Sequence, residues 1–386
     1  MSVESLFTEA DRALLVELRR DLHRHPELSW QETATQARLE RALHDAGISD
    51  VRRIARTGLV ARIPGIDVGA PSIAIRGDID ALPITENTGL EYSSSIAGVM
   101  HACGHDMHAT WAVGAALLLA RDPAPGEVRV ILQPAEEVGE GATAVLESGT
   151  LDGVAAIFGA HVDRRFSVGE VVAQAGPLAA SADSFAVTIH GRGAHGARPH
   201  EAADPIIAAA AFVTALQTIV SRRLEPSLPG VVTVGMFSAG SAANIIPENA
   251  GLEGTVRATT AESRALLCGE VERMAGAVAL THDCRATVRW ARGTPPLVNS
   301  ADAAATAVAA VTQLLGEQAV RPLGVTNMAG EDFAFYLERM PGCFLRIGAC
   351  EPGGEMIAAH SPRFRAAEDA LWVGAAVLAA CARGVR

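Results

Sequence analysis

No lysine occurs in the 386 residues, so all 32 basic side chains are arginine. Schiff-base chemistry, a pyridoxal-phosphate anchor, a Walker-A lysine and a kinase-type lysine are thereby excluded, because each needs an amine that the chain lacks. Arginine stays protonated and does not serve as an ordinary nucleophile or base. Aromatic residues are scarce at 4%, so alanine and aliphatic side chains must fill the interior. Positive charge is short as well: 44 acidic residues against 32 basic ones leave −12 with histidine neutral. No basic surface for a nucleic-acid backbone is on offer, and no nucleic-acid partner is expected. The six cysteines, at 103, 268, 284, 343, 350 and 381, include no CxxC pair, which argues against a secreted disulfide framework and for a reducing cytoplasm. The first eleven residues lack a basic stretch followed by an apolar one, so the start reads as mature protein. The longest apolar runs, 111–120 and 371–382, fall short of the roughly 18–20 residues that span a bilayer. They are expected to be buried helices, with no membrane partner.

What is present points to a globular α/β protein. Hydrophobic residues make up 49% and charged ones 20%, and the length suits about two domains of roughly 100–200 residues each. Residues 8–45 carry apolar side chains at helical spacing interrupted by Pro26, which predicts two helices joined by a loop over 23–29. Short apolar runs at 59–63, 72–75, 128–132 and 155–158 predict strands, with helices between them at 107–121 and 141–148. Such alternation implies a mostly parallel sheet covered by helices. After 176–182 the pattern changes: 185–189, 205–223, 231–237, 251–258, 261–280 and 286–290 read β-α-β-β-α-β, the ferredoxin-like order. Beyond 292–296 the first texture resumes. The expected organisation is therefore a first domain part over 1–180, an inserted domain over 181–292, and a second part of the first domain over 293–386.

Metal-capable side chains are densest in His101-Ala-Cys103-Gly-His105-Asp106-Met-His108, just ahead of an apolar helix. Thiolate and imidazole are good ligands for zinc-like ions, and Gly104 permits close backbone approach. A helix N-terminus carrying ordinary polar groups would look similar. The strand over 128–132 runs into Gln133-Pro134-Ala135-Glu136-Glu137, placing two carboxylates at the carboxyl edge of the sheet, where ligand sites gather. One could bind a metal while the other acts as a general base; a solvated acidic pair is the plain alternative. Gly159-Ala160-His161-Val162 supplies another candidate ligand, expected just past a strand end, and Ala359-His360-Ser361-Pro362 places a histidine in a loop before the last helix. Lone histidines are usually structural or exposed. Their joint placement at strand ends is what favours a site.

Together with Asp21-Leu-His-Arg-His-Pro-Glu-Leu28, Arg76-Gly-Asp-Ile-Asp-Ala-Leu-Pro83, Gly193-Ala-His195, Asn244-Ile-Ile-Pro247, Gly254-Thr-Val-Arg257 and Gly330-Glu-Asp-Phe333, these motifs give the chain its family character. In that order, over nearly its whole length, it resembles the M20 metallopeptidase and amidohydrolase family, in the branch of aminoacylases, hippurate hydrolases and indoleacetyl-amino-acid hydrolases. The resemblance implies a zinc-exopeptidase-like catalytic domain with an inserted lid and dimerisation domain. It implies two divalent ions (manganese, zinc, cobalt or nickel) held by Cys103, His105, Glu137, His161 and His360, with Cys103 bridging and Glu136 as the base. Asp80 would orient a histidine ligand, with Asp78 beside it; both also suit a turn. His195 would reach the partner subunit's active site and stabilise an oxyanion, which implies a homodimer. Asn244 and Arg257 would line the substrate site, the guanidinium holding a carboxylate.

The activity so implied is hydrolysis of an N-acyl or N-aroyl amino acid by metal-activated water, with Glu136 as general base and His195 helping the oxyanion. Exopeptidase action on dipeptides, deamination of an aromatic amine, a binding protein that lost catalysis, and a thiol hydrolase using Cys103 are the alternatives. Two departures from the family pattern concern the acyl-group preference: Arg164-Arg165 follows His161-Val-Asp163 where many relatives have a proline, and Ala359 precedes His360 where a larger apolar residue is common.

Overall fold

In the computed structural model, which describes residues 2–385, the chain forms two compact units. The first comprises the residues up to Gly176 together with Asn299–Gly324 and those from Phe335 on. Its seven-stranded sheet runs in the order Val51–Ile54, Gly58–Ile63, Val128–Gln133, Ser72–Asp78, Val154–Ser167, Gly342–Cys350, Val171–Val172. The four central pairing partners, from Val128–Gln133 to Gly342–Cys350, are parallel, and the flanking strands join antiparallel. The expected α/β class with a parallel sheet at its centre is what the chain adopts. The central strands are almost wholly buried, which is why they read as continuous apolar runs without alternation.

The helices His105–Arg121 and Ala370–Gly384 are buried nearly all round, as expected of core helices. Small residues let them approach each other: a Cβ on Gly374 would lie 2.3 Å from the Trp111 ring, and one on Gly114 would lie 2.8 Å from the Ala375 methyl. The helix Glu9–Arg24 starts in a capping box between Thr8 and Asp11, which satisfies two otherwise orphaned N–H groups. Its inward stripe of Leu15, Leu18 and Leu22 also carries the buried charged residues Arg19 and His23.

The strand expected over 155–158 is much longer. It spans Val154–Ser167, because Gly342–Cys350 pairs with it from Ile157 to Ser167. His161 therefore lies inside a strand and not past its end.

The second unit comprises Pro177–Val298 and Val325–Ala334. Strands Asp183–His190, Gly230–Ala239, Asn249–Ala258 and Arg285–Ala291 alternate with helices Pro205–Thr218 and Ala261–Thr281 in the order βαββαβ. The strands form one antiparallel sheet in the order Gly230–Ala239, Asn249–Ala258, Asp183–His190, Arg285–Ala291, a ferredoxin-like arrangement. Its core is built on Phe185, Val187, Phe212, Leu216, Val256 and Leu267. The segment Val325–Ala334 adds to the 181–292 range read from sequence, because Asn327 hydrogen-bonds with its main chain to Leu178 and Ala180. Pro205–Arg223 is long and apolar enough to cross a membrane by length and composition, a stretch that run-length counting passed over. Here Ala208, Ala209, Phe212, Leu216 and Ile219 bury one of its faces in the unit's core.

Candidate metal centre

Six side chains of the first unit converge. Cys103, His105 and His161 offer ligand atoms within 4.8 Å of one another, and so do Cys103, Glu137 and His360, and also His105, Glu136 and Glu137. Cys103 thus belongs to two of these groups. Its Sγ lies 3.2 Å from His161 Nε2.

Local structure explains the convergence. Gly104 is left-handed at φ 85°, which turns the chain from the Cys103 loop into the helix that begins at His105. A Cβ there would lie 2.5 Å from the Val162 side chain, so the glycine also permits close packing. Glu136 and Glu137 leave the strand Val128–Gln133 through Ala135, held at φ 53°. That strained residue is fixed by buried Glu32, which accepts the Ala135 N–H at 2.9 Å and the Thr57 hydroxyl at 2.6 Å. His360 is left-handed too, at φ 65°, and its N–H donates to Ala102 O at 2.8 Å.

Each imidazole is held in a ligand-competent form. His105 donates from Nδ1 to Asp80 O at 2.9 Å, with Asp80 Oδ1 at 3.2 Å. His161 donates from Nδ1 to Val162 O at 2.7 Å. With Nδ1 so engaged, both Nε2 atoms face the site. Asp80 accepts further bonds at Oδ2 from Ser29 Oγ at 2.7 Å and Glu137 N at 3.0 Å, so one carboxylate fixes the His105 ring and the Glu137 main chain together. Asp78 does different work: it pairs with Arg76 and takes the His108 Nδ1 proton at 2.6 Å. His108 Nε2 accepts the Val162 N–H at 2.9 Å. With both ring nitrogens used, His108 fastens the strand beside His161.

Divalent ions fit this site. Buried atoms His105 Nε2 and Glu137 Oε1 have no hydrogen-bond partner, and unsatisfied buried polar atoms call for an ion or a water. The donor set of thiolate, imidazole and carboxylate suits zinc, manganese, cobalt or nickel.

Protonation follows the same geometry. Burial and the Glu137 carboxylate push the Cys103 thiol up to about 12, which disfavours a free thiolate nucleophile. Burial alone would lower His105, but the Asp78 charge and the hydrogen bond to Asp80 outweigh it and raise its pKa well above the ordinary value. Burial and the nearby His108 and Arg346 hold His161 well below. The metal-free site therefore holds a proton on Cys103 that ions must displace, and His105 and His360 are both shifted toward their charged forms. Titration with Zn²⁺ in buffers of different ionisation enthalpy is expected to show net proton release; release near zero would contradict these protonation states.

His195, Asn244 and Arg257 belong to the second unit. His195 lies in the strand Ala194–His195, paired with Ile245–Ile246, and Gly196 N–H donates to Asn244 O at 2.7 Å. His195 and Asn244 thus line one shallow concavity, together with Gly193, Ala194 and residues 245–248. Arg257 is not in its lining. Its guanidinium donates to Val256 O at 3.1 Å and Asp183 O at 3.3 Å.

The sequence assigns no role to Glu32, Arg19, His23 or Glu86 and places Asp106 and His108 only in the metal-capable run; the structure joins Arg19, His23, Glu86 and Asp106 in one cluster. Arg19 and His23 are spaced i, i+4 on the helix stripe that carries Leu15 and Leu22. Charged residues on an apolar stripe were the available signal.

The comparisons with known proteins agree with this geometry. The model of peptidase family M20/M25/M40 matches residues 74–384. N-acetyl-L-cysteine deacetylase of Bacillus subtilis (strain 168) is 44% identical over 336 residues, covering 86% of this chain and 80% of the relative. An IAA-amino acid hydrolase of Arabidopsis thaliana is 37% identical over 374 residues, covering 95% and 84%. The crystal structure of Bacillus subtilis YXEP, a dinuclear metal-binding peptidase from the M20 family, superposes with a TM-score of 0.86 at 36% identity, covering 97% of this chain and 98% of that one. The chain belongs to peptidase family M20/M25/M40.

Proposed function

We propose that this protein is a metal-dependent amidohydrolase that cleaves N-acyl amino acids to a carboxylate and a free amino acid. The observation that carries the reading is Cys103, which stands in both the His105/His161 group and the Glu137/His360 group, as a thiolate shared by two cations would. The similarity to an N-acetyl-L-cysteine deacetylase, to an IAA-amino acid hydrolase and to a dinuclear metal-binding peptidase supports it.

Cys103, His105, Glu137, His161 and His360 would hold two divalent ions, which supply Lewis acidity and a water of lowered pKa when bound. Glu136, adjoining Glu137 and with Oε2 4.0 Å from His105 Nε2, takes a proton from the attacking water and returns it to the departing amine. Asp80 holds the His105 tautomer. His195 donates to the developing oxyanion. Asn244, beside His195, would line the substrate site, and Arg257 would hold the substrate's carboxylate only by giving up its bonds to Val256 O and Asp183 O. A homodimer through the inserted domain is part of the proposal. Its support is the edge strand Gly230–Ala239, which leaves Met236 and Phe237 exposed at 61% and 45%, an apolar surface that a second copy would cover. Free thiols at all six cysteines support a cytoplasmic setting.

The test is a product assay over acetyl-, benzoyl- and indoleacetyl-amino acids before and after exhaustive chelation. Hydrolysis is expected to vanish with the ions and to return with Mn²⁺, Zn²⁺ or Co²⁺. Undiminished activity after chelation would favour a cysteine mechanism. Turnover restricted to dipeptides, or ammonia as the product, would replace the acyl-amino-acid reading by an exopeptidase or a deaminase.

A further inference from the structure

We infer that Arg164 is a positioning residue for His360: its guanidinium sets the loop on which His360 stands and so governs how tightly that histidine's ion is held. The inference rests on the reading of His360 as a ligand.

Residues 351–369 connect the strand Gly342–Cys350 to the helix Ala370–Gly384 without any helix or strand of their own. A connection of this length inside a compact unit keeps one shape only where outside groups fasten it. Arg164 lies three residues past His161 in the strand Val154–Ser167, with its side chain 1% exposed. It donates from Nη1 to Ala349 O at 3.2 Å and Arg365 O at 2.8 Å. From Nη2 it reaches Glu355 O at 2.6 Å, the Glu351 carboxylate at 2.9 Å and Cys350 Sγ at 3.6 Å, while Nε reaches Glu355 O at 3.2 Å. One planar fork thus joins the first part of the loop, at Glu351 and Glu355, to Arg365 near its other end. Two other ion pairs in the loop, Arg363 with Glu355 and Arg365 with Glu351, are exposed, and such pairs contribute little; Arg20 holds Glu368 at the far end by two bonds of 2.9 and 2.7 Å, beyond the segment that carries His360.

The consequence falls on His360. Its left-handed backbone is a conformation that a non-glycine residue holds only when its surroundings over-determine it. The tip is tied by His360 N–H to Ala102 O at 2.8 Å and by Asn87 N–H to Pro362 O at 2.7 Å. These two bonds fix the tip relative to the Cys103 loop only if the base stays in place. At this position the guanidinium supplies several N–H donors, which serve carbonyls of separate segments at once. Lysine is no substitute, because a single ammonium cannot span carbonyls at 349, 355 and 365 together.

The experiment is calorimetric titration of the metal-stripped, full-length protein with Mn²⁺ in wild type, Arg164→Met, Arg164→Lys, His360→Ala and His161→Ala. Circular dichroism of the metal-free forms monitors folding. His360→Ala is expected to weaken one binding event, and His161→Ala the other. Arg164→Met is expected to weaken the same event as His360→Ala, by roughly 10–100-fold, the usual cost of losing a group that orients a ligand, and to leave the other unchanged. Arg164→Lys falls between, and it carries the comparison if Arg164→Met does not fold. If His360→Ala weakens one event while both Arg164 variants bind like wild type, or if they weaken the event sensitive to His161→Ala, the positioning role is wrong. If His360→Ala changes neither event, the ligand reading of His360 falls, and this inference with it.

Discussion

Glu136→Gln is expected to lower turnover on an acetyl-amino acid by about 10²–10⁴-fold, the usual contribution of a positioned general base, while the protein still binds its full complement of ions. Glutamine keeps the size of the side chain and its place beside Glu137 but cannot accept a proton at neutral pH. On a scale of about 1.36 kcal/mol per decade, the loss corresponds to roughly 3–5 kcal/mol of transition-state stabilisation. Elemental analysis and kcat measured on the same preparation separate the two roles that adjacent carboxylates can play. Lost ions with unchanged turnover per bound ion would make Glu136 a ligand. Near-wild-type turnover with normal ion content would remove it from the reaction.

Asp106→Ala is expected to destabilise the metal-free protein by about 3–5 kcal/mol, the cost of leaving a buried charge without its partner. Asp106 Oδ2 accepts from Arg19 Nε at 2.9 Å and from His23 Nδ1 at 2.8 Å, and all three side chains are 2% exposed or less. His23 Nε2 lies 3.2 Å from Glu86, so the ring sits between two carboxylates. Burial alone would lower His23, but the Asp106 charge and the hydrogen bonds to Asp106 and Glu86 raise it above its ordinary value. Burial alone would raise Asp106, and Arg19 and His23 bring it down instead. Glu86 is held at about 2 and stays charged throughout.

The sign of the pH dependence follows. The contribution of His23 is complete below its unfolded value of about 6.5 and is lost as pH rises through its raised folded value. That of Asp106 is complete above about 3.9 and is lost as pH falls. Denaturant unfolding of wild type and Asp106→Ala across pH should therefore show the largest gap between about pH 4 and 6.5, narrowing on both sides. A gap that stayed level as pH rose past about 6.5 would mean that His23 is neutral in the folded protein.

The elements of both units were legible where one period dominated. The apolar runs ending at Leu132 and at Ile75 are sheet strands, and the β-α-β-β-α-β order between Phe185 and Trp290 is the ferredoxin-like sheet. His161 was placed wrongly for a physical reason. The polar residues Asp163, Arg164 and Arg165 look like a loop, yet pairing with Gly342–Cys350 carries the strand through them, and tertiary pairing overrides local propensity. The five candidate ligands could be found because thiol, imidazole and carboxylate stand in short runs where such residue types are dense or follow an apolar segment. Their supports could not. Nothing local in Glu32 says that its carboxylate holds Ala135 N–H 103 residues away, and nothing local in Arg164 says that it reaches Arg365 O across 201 residues. Asp78 and Asp80 look alike in sequence; the structure gives one to His108 and the other to His105.

The most direct measurement is anomalous diffraction from crystals grown with Zn²⁺. Two peaks per subunit are expected, with Cys103 Sγ at about 2.3 Å from both and the nitrogens of His105, His161 and His360 at about 2.0–2.1 Å from one or the other. Peaks placed away from Cys103, or none within coordination distance of these five side chains, would contradict the account at its centre.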